Sequence, residues 1–348
     1  MTCELTAPGG RRLTYLRMSV TDLCNLRCGY CMPPGGVPKL THADILTYEE
    51  MLRLARLAAG LGMRKLRLTG GEPLVRRGLT GFIRQLSRGD DPAGAGSGEP
   101  EPFRGFADLR LTTNGILLAP LAAGLKAAGL RGLNISLDAV DPEVYAAMCG
   151  RPAPDGLEAA RRAWEGFHAA LDLGFDVKIN CVPIRGLNDG QLVPLALLAR
   201  QYPIDVRFIE HMPIGSGELW SPDRFMPAAE VLSLLEAALG PLTPIEAPDP
   251  SAPARLYKPE GAPGAVGFIS PLSGHFCGEC NRLRLTADGR LKPCLLTGRE
   301  IDLRGPLRSG AGDRAIVDLF LQAAALKPLS HLQSPGDHGQ RQMSRIGG

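Results

Sequence analysis

The sequence predicts an α/β protein built on a parallel sheet, and two observations carry that expectation. Six short apolar or β-branched runs recur at 16–21, 65–70, 109–114, 133–138, 177–182 and 206–210. Between them lie segments whose apolar residues follow helical spacing. Strands alternating with helices call for crossover connections and therefore parallel pairing, either in an open doubly wound sheet or in a whole or partial β/α barrel. Pattern alone leaves that choice open.

The first run, "LRMSVT", leads directly into the cysteine-bearing stretch "DLCNLRCGYCMP". A helix is expected over 47–60: Thr47 and Glu50 form a capping box, and Met51, Leu54, Ala55 and Ala58 share one face. Further helices are expected at 78–88, 117–129, 155–173 and 189–201. "RGDDPAGAGSGEPEPFRG", 88–105, is rich in Gly and Pro and aperiodic, which predicts a mobile surface insertion. After "HMPIGSGELW" the alternation stops and Pro becomes frequent through 241–263. This predicts a boundary near 214–225, with domains at 1–213 and 214–348. No repeat of fixed period exists beyond the β/α units themselves.

At 348 residues, 44% of them hydrophobic, the chain can bury a sizeable core. Its apolar runs fall short of the ~18 residues of a membrane span. "MTCELTAPGGRRL" has no signal-like apolar stretch, so a cytoplasmic protein is expected. A net charge of +3 is too small to imply a nucleic-acid or membrane partner, and neither is expected. Nine cysteines without an export signal point to metal binding rather than to disulfides.

Six of these cysteines fall into two sets: Cys24, Cys28 and Cys31 in C-x3-C-x2-C, and Cys277, Cys280 and Cys294 in C-x2-C-x13-C. Cys3, Cys149 and Cys181 stand alone and receive no role. Structural zinc takes four protein ligands, whereas three thiolates leave a coordination position open. A 4Fe-4S cluster held by three cysteines keeps one iron free for another ligand. Zinc completed by a distant histidine remains the alternative, more so for the second set, where His275 lies two residues before Cys277.

Arg17, Lys65, Arg67, Lys178 and Arg207 all sit within expected strands. Residues two apart, such as Lys65 and Arg67, share one face of a strand. If that face lines a cavity, like charges ~8 Å apart repel by about 2 kcal/mol at an effective dielectric near 20. The set is then unfavourable until an anion enters, and the expected ligand is a polyanion. The alternative is that these cations pair with acids or reach solvent. Arg282 and Arg284 repeat the spacing just after Cys280, and paired guanidiniums suit phosphate.

"TGGEP" at 69–73 ends the second strand, and together with the aromatic-flanked C-x3-C-x2-C loop it resembles the signature of radical S-adenosylmethionine (SAM) enzymes. "LTTNG", "NISLDA", "VRFIEHMPIG", the second cysteine set and the terminal "MSRIGG" extend the likeness over nearly the whole chain. Together they resemble the GTP 3′,8-cyclases of molybdenum cofactor biosynthesis. The resemblance implies a partial parallel barrel of six β/α units closed by a C-terminal domain. It implies two 4Fe-4S clusters: Cys24, Cys28 and Cys31 hold the one that chelates SAM, and Cys277, Cys280 and Cys294 hold one whose free iron meets the guanine edge. Tyr30, Gly71, Ser136 and Met212 would lie around SAM. Read without the resemblance, Met212 is a core side chain and Ser136 a hydroxyl satisfied by backbone. Arg17, Lys65, Arg67, Thr112, Lys178, Arg207, Arg282 and Arg284 would contact GTP. Arg17, Arg282, Arg284, Gly347 and Gly348 would serve catalysis, the glycine tail entering the active site, where on composition alone it is a frayed end.

The implied reaction begins when one electron cleaves SAM to methionine and a 5′-deoxyadenosyl radical. That radical removes the ribose 3′ hydrogen, the sugar radical attacks carbon 8 of guanine, and reduction yields the cyclised nucleotide. The implied partners are an electron donor of unknown identity and a downstream pyranopterin-forming enzyme. The resemblance leaves room for a homodimer. No general acid or base is legible. Two rivals remain: a two-cluster radical SAM enzyme acting on a peptide, which has no need of the cations, and a non-catalytic zinc protein, which leaves "GGEP" unexplained.

Overall fold

Alternation along the strands decides the architecture. In a computed structural model describing residues 4–33, 35–89, 103–214, 219–247, 249, 251–333 and 341–347, the six expected strands are β1 Tyr15–Ser19, β2 Lys65–Thr69, β3 Asp108–Thr113, β4 Gly132–Ser136, β5 Asp176–Cys181 and β6 Asp205–Ile209. They pair in parallel in chain order. Leu16, Met18, Leu66, Leu68, Leu109, Leu111, Leu133 and Ile135 are fully buried on the helix-covered face, and so are their counterparts Ile179 and Val206. Burial of each such side chain is worth about 1.5–3 kcal/mol. The intervening residues, among them Arg17, Arg67, Thr112, Ser136, Lys178 and Arg207, line a cavity on the other face. A parallel sheet covered on both faces reads as continuous apolar runs. Polar alternation in parallel strands therefore marks the cavity.

The helices before residue 240 are α1 Tyr48–Gly60, α2 Leu79–Arg88, α3 Ala122–Ala127, α4 Pro142–Met148, α5 Asp155–Asp172, α6 Leu192–Gln201 and α7 Ala228–Leu239. α1 carries the expected capping box, with Glu50 N–H donating to Thr47 Oγ1 at 3.2 Å and Thr47 N–H to Glu50 Oε2 at 2.7 Å. Such a cap is worth about 1 kcal/mol. α3 is shorter than the expected 117–129, because Pro120 has no N–H to donate and disfavours helical backbone in the residue before it. The chain instead turns there, with Leu118 N–H on Gly115 O and Leu121 N–H on Leu118 O. α4 was not expected, although Asp141 caps it through Glu143 and Val144 N–H and Pro142 occupies its first turn.

The rest of the chain adds β7 Leu242–Ile245, β8 Arg255–Pro259, β9 Ala265–Ile269, β10 Arg282–Leu285, β11 Arg290–Lys292, β12 Ile301–Asp302, α8 Arg304–Arg308, α9 Asp313–Ala325 and α10 Met343–Ile346. The sheet runs β12-β11-β10-β1-β2-β3-β4-β5-β6-β9-β8-β7. β9 lies parallel to β6 at one edge of the β/α units, and β10 lies parallel to β1 at the other. The later segment thus extends the sheet from both sides, bringing Cys280 and Arg282 next to β1. Among the described residues, no helix is long and apolar enough to cross a membrane. Cys149 and Cys181 are buried. Residues 90–102 of the expected insertion, Cys3 and Gly348 lie outside the described residues.

Candidate active site

Backbone approach at the carboxyl ends of β1 and β2 explains the paired glycines. Gly71 N–H donates to Thr21 O at 2.9 Å and Glu72 N–H to Leu23 O at 2.8 Å. A Cβ on Gly71 would stand 2.4 Å from Leu23 O, and one on Gly70 2.6 Å from Thr21 O. Only glycine admits this contact between the cysteine loop and β2. Glu72, almost wholly buried, accepts from Leu74 N–H, Asn114 N–H and Thr113 Oγ1, which ties the ends of β2 and β3 together. Burial lifts its carboxyl to about 7 against these hydrogen bonds. Tyr30 Oη donates to Asp138 Oδ2 at 2.7 Å, while Val182 N–H donates to Asp138 Oδ1 at 2.9 Å.

Cys24, Cys28 and Cys31 face the same cavity as Gly71, Ser136 and Met212. Cys31 and Met32 N–H both donate to Cys28 O at 2.9 Å, closing the loop into a turn. Burial pushes the Cys24 thiol up to about 11 and the Cys31 thiol up to about 12, with Cys28 raised well above its ordinary value. Cys28 feels Asp138 next and then both neighbouring sulfurs, and Cys31 feels Cys24. Three thiols close enough to repel one another as anions form a donor set that a cationic centre would satisfy.

Register places the cations in rows. Arg284 is opposite Arg17, Arg17 opposite Arg67, and Arg67 opposite Arg110; one level toward the amino ends, Arg282, Tyr15, Lys65 and Asp108 are likewise in line. Neighbouring strands lie only ~4.8 Å apart. The guanidiniums are accordingly penalised. Burial, then Arg284, Arg67 and Arg282, hold Arg17 well below its ordinary value, and burial followed by Arg282 brings Arg284 to about 10. Arg67 Nε donates to Tyr15 Oη at 2.5 Å, and its Nη1 reaches Thr112 Oγ1 at 3.5 Å. Burial alone would raise Tyr15, but Arg67, Arg17 and Lys65 outweigh it and bring the phenol to about 7.

The expectation of five cations unpaired until an anion enters needs correction. Lys65 meets Asp108 at 3.3 Å and Asp249 at 3.6 Å, Lys178 meets Asp205 at 3.0 Å and Asp176 at 3.3 Å, and Arg207 meets Asp205 at 2.8 Å. The physical reason is an Asp two residues before a cation at the start of three strands, in "DLRL", "DVKI" and "DVRF". Same-face spacing lets Asp108, Asp176 and Asp205 neutralise Arg110, Lys178 and Arg207. The β10–β1–β2 wall has no such strand-borne acid among Arg282, Arg284, Arg17, Lys65 and Arg67.

Cys277, Cys280 and Cys294 open onto this cavity beside that wall. Their surroundings are opposite in sign to those of the first set. Burial would raise the Cys280 thiol, but Arg282 and Lys327 bring it to about 6. The histidine at this set is His331, whose Nδ1 lies 3.3 Å from Cys277 Sγ. His275, expected there in the zinc alternative, instead has Nδ1 3.2 Å from Pro271 O and meets His331 edge-on.

The tail reaches the same place. Gly347 O accepts from Arg17 Nη2 at 3.3 Å and from Arg284 Nη1 at 3.1 Å. Its φ of +76° is left-handed, and a Cβ there would stand 2.4 Å from Thr69 Oγ1. Arg341 anchors the tail to Asp288 at 2.9 Å and Glu300 at 2.7 Å, and Ile346 is buried beside Ile214 and Leu296.

All the cysteines of both sets and every cation named from sequence thus line one cavity of about 690 Å³, within the usual range for ligand sites. Sequence reasoning missed Tyr15, Glu72, Arg110, Asp138, Lys327 and His331. Glu72 and Asp138 stood inside quoted motifs and Arg110 in a visible Asp-x-Arg. Lys327 and His331 gave no signal, because only folding brings them to the cysteines.

Residues 18–199 match the radical SAM superfamily and residues 204–333 the Molybdenum Cofactor Synthesis C family. The chain is 49% identical over 339 residues to a GTP 3′,8-cyclase of Pelotomaculum thermopropionicum, covering 97% of this chain and 98% of that one. With those of Syntrophomonas wolfei and Moorella thermoacetica the identities are 45% and 44%, at the same coverage. Among solved structures, Streptococcus suis SuiB bound to S-adenosylmethionine superposes with a TM-score of 0.60 at 11% identity, over 83% of this chain and 63% of that one. That likeness concerns the fold alone.

Proposed function

The chain belongs to the GTP 3′,8-cyclase family of radical SAM enzymes, and on that premise we propose that it converts GTP to 3′,8-cyclo-7,8-dihydro-GTP, opening molybdenum cofactor biosynthesis. One observation carries this beyond family membership: both three-cysteine sets and the cationic β10–β1–β2 wall face a single cavity. Cys24, Cys28 and Cys31 would hold the SAM-binding 4Fe-4S cluster, and Cys277, Cys280 and Cys294 a second one. When bound, the first cluster and SAM supply a 5′-deoxyadenosyl radical. The chain's own residues bind, orient and exclude water. Tyr30, Gly71, Ser136 and Met212 would bound the SAM space.

Arg17, Arg67, Arg282 and Arg284 would take the triphosphate, since their charge lacks a same-strand acid. Thr112 and the acid-paired Lys65, Lys178 and Arg207 would surround the remainder. Gly347, with Gly348 beyond it, would order Arg17 and Arg284. In this reading residues 1–213 carry SAM, while 214–348 complete the GTP site. An external reductant supplies electrons, and a pyranopterin-forming enzyme consumes the product in the cytoplasm. A peptide-modifying enzyme would gain nothing from an arginine wall sized for phosphates.

The test is anaerobic incubation of the iron-loaded protein with SAM and dithionite. Formation of 5′-deoxyadenosine that rises with added GTP and matches cyclised nucleotide supports the reading. GTP-independent cleavage with no nucleotide product would oppose it.

A further inference from the structure

Lys327 lies just beyond the carboxyl end of α9, is 3% exposed, and comes from a part of the chain remote from every cysteine. Its Nζ donates to Arg282 O at 2.8 Å and to Pro293 O at 2.9 Å, and both Lys327 and Cys280 line the same cavity. An ammonium has three N–H donors, and these two carbonyls take two of them. Arg282 is two residues past Cys280, and Pro293 immediately precedes Cys294, so one side chain ties both ligand-bearing segments together. Arg11 completes the frame, with Nη1 donating to Cys277 O at 2.7 Å and Nη2 to Pro328 O at 2.8 Å, next to Lys327 itself.

A buried ammonium is costly to desolvate and normally faces a carboxylate. Lys292, next to Pro293 in the chain, shows that ordinary arrangement, meeting Glu300 at 3.0 Å. Lys327 instead donates to two carbonyls. We propose that Lys327 is a positioning residue of the second cysteine set, one that joins its ligand segments and holds a positive charge against the sulfurs, raising the reduction potential of the cluster bound there. This rests on the reading that Cys277, Cys280 and Cys294 hold a 4Fe-4S cluster. The direction follows from charge: reduction adds an electron, so a nearby cation stabilises the reduced form, as do hydrogen bonds to sulfur. Glu72 and Asp138 line the cavity with the first set instead, so a cluster bound there would lack this neighbouring ammonium.

The experiment uses full-length chain, reconstituted anaerobically with iron and sulfide, in which Cys24, Cys28 and Cys31 are replaced by alanine so that only the second site can load. Iron per chain and the midpoint potential from a spectroscopically followed redox titration are compared for this parent, Lys327→Met and Lys327→Arg. The expected result is a lower midpoint or lost iron in Lys327→Met, with both properties largely retained in Lys327→Arg. Wild-type iron and an unchanged midpoint in Lys327→Met would overturn the proposal. So would equal loss in both variants with circular dichroism intact, which would make packing rather than charge responsible. A parent that binds no cluster would instead overturn the underlying reading of the second cysteine set.

Discussion

Arg17→Met separates the two jobs that a buried cation can do. In the ligand-free protein Arg17 stands between Arg284 and Arg67 on adjacent strands, and burial together with those neighbours disfavours its charge. Each like-charge neighbour at ~8 Å contributes about 2 kcal/mol of repulsion at an effective dielectric near 20. The substitution loses the hydrogen bonds of Arg17, the one to Gly347 O among them, each worth about 1 kcal/mol. Relief of repulsion wins, so the iron-free, ligand-free variant should be more stable by about 1–3 kcal/mol in urea unfolding. GTP binding should move the other way. Loss of one or two charge-assisted contacts to phosphate, each about 1.5–3 kcal/mol, weakens GTP by at least ~10-fold, while guanosine changes by less than ~3-fold. Calorimetric titration of GTP, GDP and guanosine reads both. Destabilised protein with all three ligands weakened alike would mean that the guanidinium serves the fold and not the phosphates.

Alanine at Cys24, Cys28 or Cys31 should abolish SAM cleavage, whereas alanine at Cys277, Cys280 or Cys294 should stop cyclisation but leave dithionite-driven cleavage detectable; chromatography of 5′-deoxyadenosine and nucleotide products reads the split. Tyr15, lowered from 10.0 to about 7, should show a phenolate band growing through neutral pH in iron-free protein and missing in Tyr15→Phe. Because its folded value lies below its unfolded one, ionisation of Tyr15 contributes stability that is full above pH 10 and lost as pH falls through about 7. Tripolyphosphate, by neutralising the same cations, should move that titration upward. Gly347→Ala must force a left-handed φ and a Cβ against Thr69, so product should fall at least ~10-fold with iron content and SAM binding unchanged. Deleting Gly347 and Gly348 should do the same, with partial rescue by a peptide of the last residues. Wild-type turnover in either variant would return the tail to a frayed end.

The six strands were legible because each carries its period of two in plain view: Leu16 and Met18 inward to the helices, Arg17 between them toward the cavity. Both cysteine sets were legible for a similar reason, as spacing is a property of sequence. Partnership was not. Lys178 and Arg207 read as bare charges unless same-face spacing is applied to Asp176 and Asp205, each two residues before one of them. The later strands escaped because β9 and β10 pair with opposite ends of the six-strand β/α run, a choice set by tertiary pairing and not by local pattern. His331 replaced His275 beside Cys277 for the same reason: nearness in sequence misled, and the turn at His331–Gln333, beyond α9, delivers its ring from more than 50 residues away.

In the proposed reaction a radical generated at the first cysteine set meets, within one cavity, a nucleotide held by the arginine wall. Its most direct test is GTP deuterated at the ribose 3′ carbon, incubated anaerobically with the iron-loaded protein, SAM and dithionite, with mass spectrometry of the 5′-deoxyadenosine formed. The proposed reaction places one deuterium in that product and yields an equal amount of cyclised nucleotide. Unlabelled 5′-deoxyadenosine formed at the same rate with and without GTP would contradict it.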